Sequence, residues 1–214
     1  MVPQDSYHAA AWELLAHQCD YAVVDELFLQ EGRVEDGGLA IGPGRFDAVL
    51  LPAVKIVEAE TWAHLAEFAA AGGKVIALGE GPSSVMEPDG TMRDAGTMPR
   101  LDLVRCASTG EWLSQCVRTT GPLVACEGPA EKLYVQARQE GGARRWLLAN
   151  LDVARRDYRL QFASDTNLVV YDPWSATVEE RPADAEGRVA IAIDGGAAVI
   201  VERRDSNEAG GRRS

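Results

Sequence analysis

The residues with the most chemical potential gather around one turn. Residues 46–81 read Phe-Asp-Ala-Val-Leu-Leu-Pro-Ala, then an amphipathic run from Glu58 to Ala71, then Gly72-Gly73-Lys-Val-Ile-Ala-Leu-Gly. That order is a buried strand, a helix, a glycine stop and a second buried strand, the βαβ unit of a parallel sheet. In acyl-transfer enzymes built this way, a nucleophile stands on the sharp turn between a strand and a helix. Here the turn after the second strand is Gly79-Glu80-Gly81-Pro82, with no cysteine and with serine only at Ser83 and Ser84. Glu80 occupies the nucleophile's place, and between two glycines it reads equally as a solvated turn residue.

Other constellations are weaker. Gly79-Glu80-Gly81-Pro82-Ser83-Ser84 resembles the start of a phosphate-cradling loop, but such a loop opens directly into a helix. Met86, Pro88, Asp89 and Gly90 follow instead. Cys106 or Cys116 with His64 would make a thiol–imidazole pair, yet no histidine follows position 64. Glu58, Glu60 and Glu67 lie along one helix, where carboxylates near the start are favoured by the macrodipole in any case. Trp146, Tyr158, Tyr171 and Trp174 could stack on sugar rings. Trp146 alternates with apolar neighbours and reads as core. Trp174 follows Asp172-Pro173 at a strand end and is, with Glu80, the candidate contact for a sugar or a neighbouring domain.

The elements that must position these residues change character along the chain. Ser6 to Gln18 reads as a helix capped by Asp5 or Ser6, with Ala9, Trp12, Leu15 and Ala16 on one face. Tyr21 to Asp25 reads as a short apolar strand, and Val34 to Ile41 as a hairpin turning at Asp36-Gly37. Ala48 to Leu51 is a continuous apolar strand, as expected when both faces are covered. Trp62, Leu65, Phe68 and Ala69 form the stripe of the Glu58–Ala71 helix, and Lys74 to Leu78 is the next buried strand. From Glu80 to Arg100 no period survives, which predicts a long loop. Ser108 to Arg118 is a helix with Trp112, Leu113 and Cys116 inward, and Leu123 to Cys126 a short strand.

After Pro129 the period becomes two. Strands follow at 132–138, 145–151, 158–162, 168–171, 189–193 and 197–201, with hairpin signals at Gly141-Gly142 and Gly195-Gly196. Strands without intervening helices predict an antiparallel sandwich. The domains expected are therefore residues 1–128 as a flavodoxin-like or class I amidotransferase-like α/β domain, a linker near 127–131, residues 129–204 as a β-sandwich, and a disordered tail over 205–214.

The chain has 214 residues, 46% of them hydrophobic, and a net charge of −12. That length and composition suit a protein that buries a core. The negative charge argues against nucleic acid and anionic membranes as partners. No apolar run reaches membrane-spanning length, and residues 1–6 lack a signal-peptide pattern. Cys19, Cys106, Cys116 and Cys126 lack paired spacing, so four free thiols are expected, which favours a cytoplasmic setting. Neither zinc nor any other cofactor is expected.

Taken together, Phe46-Asp-Ala-Val-Leu-Leu-Pro, Glu60-Thr-Trp, Gly72-Gly-Lys-Val-Ile-Ala-Leu-Gly and Trp146-Leu-Leu-Ala-Asn-Leu resemble the C-terminal half of large bacterial glycoside hydrolases of the α-L-rhamnosidase type. The β-galactosidases with an amidotransferase-like trimerisation domain are a second relative. Leu168-Val-Val-Tyr-Asp-Pro-Trp-Ser-Ala-Thr and the segments at 187–191 and 197–201 are similar to the closing sandwich of such enzymes. The resemblance implies a non-catalytic accessory portion whose partner is an upstream catalytic barrel. The family's catalytic carboxylates lie in that barrel, and none is carried over to this chain. The alternatives are a stand-alone carbohydrate-binding module and a cryptic hydrolase using the 80–100 loop. A domain of this shape normally opens with a strand, whereas this chain opens with a helix. The expectation is a truncated first domain with an exposed edge beside Tyr21–Asp25 or Ala48–Leu51, closed by a homodimer or by rearrangement.

Overall fold

The computed structural model describes residues 3–140, 143–162 and 168–203. The chain divides into two compact units. The first takes residues up to Glu13 together with Tyr21–Gly121. The second takes Leu14–Asp20 and the described residues from Pro122 onward.

The chain opens with α1 (Pro3–Ala16), which belongs to the first unit up to Glu13 and to the second from Leu14. Proline at a first helical position loses no hydrogen bond, because that N–H is unpaired in any helix. The helix therefore begins before Ser6, which is no cap. Ser6 is fully buried, and its hydroxyl accepts the Ala53 N–H at 3.2 Å. Ser6, Ala10 and Leu14 form the buried stripe, while Trp12 is 69% exposed, against the expected face. Tyr21–Asp25 is not a strand: no ladder forms there, and Asp25 instead caps α2 (Glu26–Gln30) by accepting the Phe28 N–H at 3.0 Å. A strand's composition without a strand paired beside it leaves only extended backbone. The strands β1 (Arg33–Glu35), β2 (Gly38–Ile41) and β3 (Gly44–Phe46) form an antiparallel meander. Asp36 (φ 48°) and Gly37 (φ 75°) turn the first hairpin as the dipeptide predicts.

Next come β4 (Ala48–Leu51), β5 (Ile56–Glu58), α3 (Ala59–Ala70) and β6 (Lys74–Leu78). The 80–100 segment is not a featureless loop. It holds β7 (Ser84–Met86), β8 (Met92–Asp94) and a 3₁₀ turn at Ala95–Thr97. Its end is pinned where the Trp62 indole donates to the Pro99 carbonyl at 2.8 Å. After it come β9 (Leu103–Cys106), a strand with no clear period in the sequence, and α4 (Thr109–Thr120), capped by Ser108. The sheet β4-β6-β9 is parallel; in the second sheet β5 pairs with β7 in parallel and β8 closes antiparallel. Trp62, Leu65 and Phe68 of α3 pack with Val75, Ala77, Val57 and Val85, and the Trp112 indole of α4 donates to the Ile76 carbonyl at 3.2 Å. Gly73 does more than stop a helix, since a Cβ there would sit 2.1 Å from the Phe68 ring.

The second unit contains β10 (Ala125–Glu127), β11 (Leu133–Glu140), β12 (Ala143–Asn150), β13 (Arg156–Gln161), β14 (Leu168–Asp172), β15 (Thr177–Arg181), β16 (Arg188–Ile193) and β17 (Ala198–Arg203). Two antiparallel sheets, β10-β13-β16 and β11-β12-β17-β14-β15, share one core that includes Trp146, Leu148, Tyr158, Leu160, Ile191 and Val201. The strand expected at Leu123–Cys126 therefore belongs with these sheets. No helix lies among the described residues after 132. The Gly141-Gly142 hairpin signal and the 205–214 tail lie outside the described residues. The Leu14–Asp20 segment is held by Gln18, whose amide donates to the Ala130 and Leu133 carbonyls at 2.9 and 3.3 Å.

One buried side chain knots the sheets of this unit. Asn150 is fully buried; its amide nitrogen donates to the carbonyls of Ala154 (2.8 Å) and Ile193 (3.0 Å), and its oxygen accepts the Asp152 N–H and the Tyr158 hydroxyl, both at 3.0 Å. Each buried group left without a partner costs more than a hydrogen bond gains. Asn150→Ala is therefore expected to destabilise this unit by roughly 2–4 kcal/mol and Tyr158→Phe by about 1 kcal/mol. Urea denaturation followed by circular dichroism measures both, and equal, small losses would contradict the knot.

Candidate functional site

The turn after β6 is built by its glycines. Gly79 and Gly81 both take φ +77°, a left-handed conformation that side chains other than glycine rarely adopt. Close packing adds to this at Gly81, where a Cβ would lie 2.9 Å from Leu103. Glu80 is thrust outward between them and is exposed. Its carboxylate has no hydrogen-bond or ion-pair partner among the described residues; only its carbonyl is used, accepting from Arg105 Nε at 3.1 Å. The chain then passes buried Pro82 and enters β7, not a helix. The Ser83 and Ser84 N–H groups, which would face a phosphate in a cradle, both donate to the Lys55 carbonyl at 3.0 and 3.1 Å. The turn offers neither an activated nucleophile nor a free row of N–H donors.

The thiol–imidazole reading fails on geometry and on charge. His64 has its polar contact with Glu67, at 4.0 Å, and its Nε2 is buried without a partner. Cys106 and Cys116 are both buried, and none of the four cysteines is in a disulfide. Burial, reinforced by the Glu111 carboxylate, pushes the Cys106 thiol above its ordinary range. A nucleophilic cysteine needs the opposite shift. Cys126 is likewise pushed up by burial, then by Glu127. The Glu58 carboxylate is taken by the Gln30 amide at 2.8 Å, and Glu60 and Glu67 sit on the exposed face of α3. No group of His, Cys, Asp and Glu able to hold a metal occurs among the described residues, and no described helix is long and apolar enough to cross a membrane.

The aromatics separate into core and surface. Trp146 and Tyr158 are buried, and Trp146 meets Phe162 edge-on at 4.9 Å. Tyr171 is half-buried, its hydroxyl 3.5 Å from Glu202. Trp174 is 76% exposed at the tip of the β14–β15 hairpin. Its backbone is fixed there. Asp172 Oδ1 accepts the Trp174 N–H at 2.8 Å and the Ser175 N–H at 3.3 Å, and Oδ2 accepts the Ser175 hydroxyl at 2.7 Å. These bonds, led by the Ser175 hydroxyl, hold the Asp172 carboxyl below the usual carboxylate range. Asp172 escaped notice in the sequence, although Asp-Pro-Trp-Ser carries the signal, an acceptor two and three residues ahead of the N–H groups it satisfies. Glu80 and Trp174 belong to different units, so each is a site considered alone.

No protein-family model matches this chain, and no curated protein matches it. Solved structures do. A β-galactosidase from Bacillus circulans sp. alkalophilus superposes with a TM-score of 0.60 at 10% identity, over 95% of this chain and 38% of that one. A rhamnosidase from Novosphingobium sp. PP1Y gives 0.59 at 15% identity, over 83% of this chain and 19% of that one. An exo-carrageenase GH42 from Bacteroides ovatus gives 0.57 at 8% identity, over 94% and 27%. This chain thus spans well under half the length of these solved chains, and at such identities the likeness is one of fold: a mixed α/β chain with parallel and antiparallel sheets, as found within larger glycoside hydrolases.

Proposed function

We propose that this chain is a non-catalytic accessory portion of a glycoside hydrolase, which supports a catalytic barrel or an oligomer. In this reading the first unit is a flavodoxin-like domain, related in shape to class I amidotransferases without their triad, and the second is a β-sandwich. The observation that carries it is the pairing of a glycoside-hydrolase fold with the turn at Glu80, which has a nucleophile's location and none of its chemistry. A retaining or inverting glycosidase needs two carboxyl groups facing each other across the sugar, and acyl transfer needs a nucleophile, a base and an oxyanion hole. Neither set is assembled at Glu80, at His64 and the cysteines, or at the carboxylates of α3. The alternative of a cryptic hydrolase in the 80–100 segment has less support, because β7, β8 and the Trp62–Pro99 bond occupy that segment structurally. The purified chain is expected to show no turnover of aryl galactosides, aryl rhamnosides or glutamine. Turnover that disappears on a point substitution such as Glu80→Gln would overturn the proposal.

A second reading, a carbohydrate-binding module, rests on Trp174 alone. An exposed indole whose backbone is held by Asp172 is an accessible apolar plate, the form that stacks on a sugar ring. Titration with galactose- and rhamnose-containing oligosaccharides, read by tryptophan fluorescence, tests it; this reading predicts saturable quenching that Trp174→Ala abolishes, and an unchanged signal would leave Trp174 as a contact for a neighbouring domain. The turn itself has a predicted pH range. With its folded value below its unfolded one, Asp172 supports the turn fully above the unfolded carboxylate range, and that support is lost only as the pH falls through the lower folded value. Trp174 fluorescence should therefore hold from pH 8 to about 5 and change only in more acid solution.

A further inference from the structure

We infer that the open edge of β4 is an acceptor site for one additional extended strand, a feature independent of the accessory role proposed above. The direction of each backbone group in β4 follows from its register. Ala48 lies opposite Lys74 in the parallel pair, and the Lys74 N–H donates to the Asp47 carbonyl at 3.1 Å. In a parallel ladder alternate residues bond to the same neighbour. Val49 and Leu51 therefore turn their N–H and C=O groups toward β6, and Ala48 and Leu50 turn theirs the other way. On that side no strand pairs with β4 among the described residues, and no partner to the polar backbone of Ala48 or Leu50 is formed.

Burial agrees with the bonding. Val75, Ile76 and Ala77 of β6, which have neighbours on both sides, are fully covered. Ala48, Val49 and Leu50 are only half-buried, although a parallel strand of this composition is built for cover on both faces. The opposite edge of the same sheet is defended in the usual way. The outer strand β9 carries Arg105, exposed and bonded to the Glu80 carbonyl, and a charged side chain on an edge discourages pairing. The β4 edge, Ala48-Val49-Leu50-Leu51, carries no charge at all.

The complement of this edge is an extended apolar segment of about four residues without proline, because two N–H and two C=O groups spaced along a strand accept only another strand. A second copy of this chain fits poorly. Each copy carries a net charge of −12, and a four-residue edge buries far less than a stable dimer requires. The same charge favours an apolar strand with basic flanks.

Hydrogen exchange on the full chain, resolved by residue, tests this directly. In the chain alone, the Ala48 and Leu50 amides should exchange at least about tenfold faster than those of Val49 and Leu51. Fusing Lys-Val-Val-Ile-Val-Lys to the N-terminus through a flexible Gly/Ser linker should then slow exchange at Ala48 and Leu50 alone within β4. Ala48→Pro removes an N–H that β6 does not use, so it should leave the unfused fold intact by circular dichroism and abolish the slowing. Equal protection of all four amides in the unfused chain would overturn the proposal, as would a fusion that leaves Ala48 and Leu50 unchanged. Slowing in the unfused chain that grows with protein concentration would also overturn it, by assigning the edge to a second copy.

Discussion

Two glycines held at φ +77° decide what the centre of the first unit can do. In a βαβ architecture the turn beyond a buried strand is where catalytic groups are concentrated, since the strand fixes the turn and a following helix supplies N–H donors and a dipole. Gly79 and Gly81 bend the chain so that it runs through Pro82 into β7, and the N–H groups that a helix would have aimed at a ligand are consumed by the Lys55 carbonyl. Glu80 is left as an exposed carboxylate with no hydrogen-bond or ion-pair partner among the described residues. The same bend lets β7 and β8 form beside β5, so the segment that might have been an active-site loop is a small sheet.

The second unit depends on a different economy. Its sheets meet over a core of Val, Leu, Ile and aromatic side chains, and Asn150, the one fully buried polar side chain among the described strand residues, satisfies backbone groups from the β12–β13 connection and the end of β16 at once. Where the core ends, the β14–β15 hairpin runs outward with every residue of β15 exposed. Trp174 rides on that hairpin, whose turn Asp172 holds by one hydrogen bond from Trp174 and two from Ser175. In this unit Trp174 is thus presented at the surface, while Trp146 and Tyr158 are kept for packing.

Much of this was legible in the sequence because the signals were local. The Glu58–Ala71 helix, the Lys74–Leu78 strand, the Asp36-Gly37 hairpin and the alternation after Pro129 each follow from period or turn chemistry alone. The failures share a cause, in that pairing decided them. Tyr21–Asp25 has a strand's residues, but no strand pairs with it among the described residues. Met92–Asp94 has no strand composition and becomes one because β7 lies beside it. Thr177–Arg181 shows no alternation, since both of its faces meet water, and among the described residues it pairs with β14 alone. Trp12 looked inward by spacing but is exposed, because Ser6 buries its hydroxyl against Ala53 and sets the helix face. At the candidate site, the sequence pointed to the Glu80 turn and to Trp174; the Asp172 lock and the outward-facing backbone of Ala48 and Leu50 needed the register.

The proposed role is that of a portion of a glycoside hydrolase that does not supply its catalysis. Immunoprecipitation from the source organism with an antibody raised against this chain, followed by assay of the precipitate on a panel of aryl glycosides, tests it most directly. Glycosidase activity in the precipitate, absent from the purified chain, is the predicted result. A precipitate that contains the chain and cleaves no glycoside would contradict it.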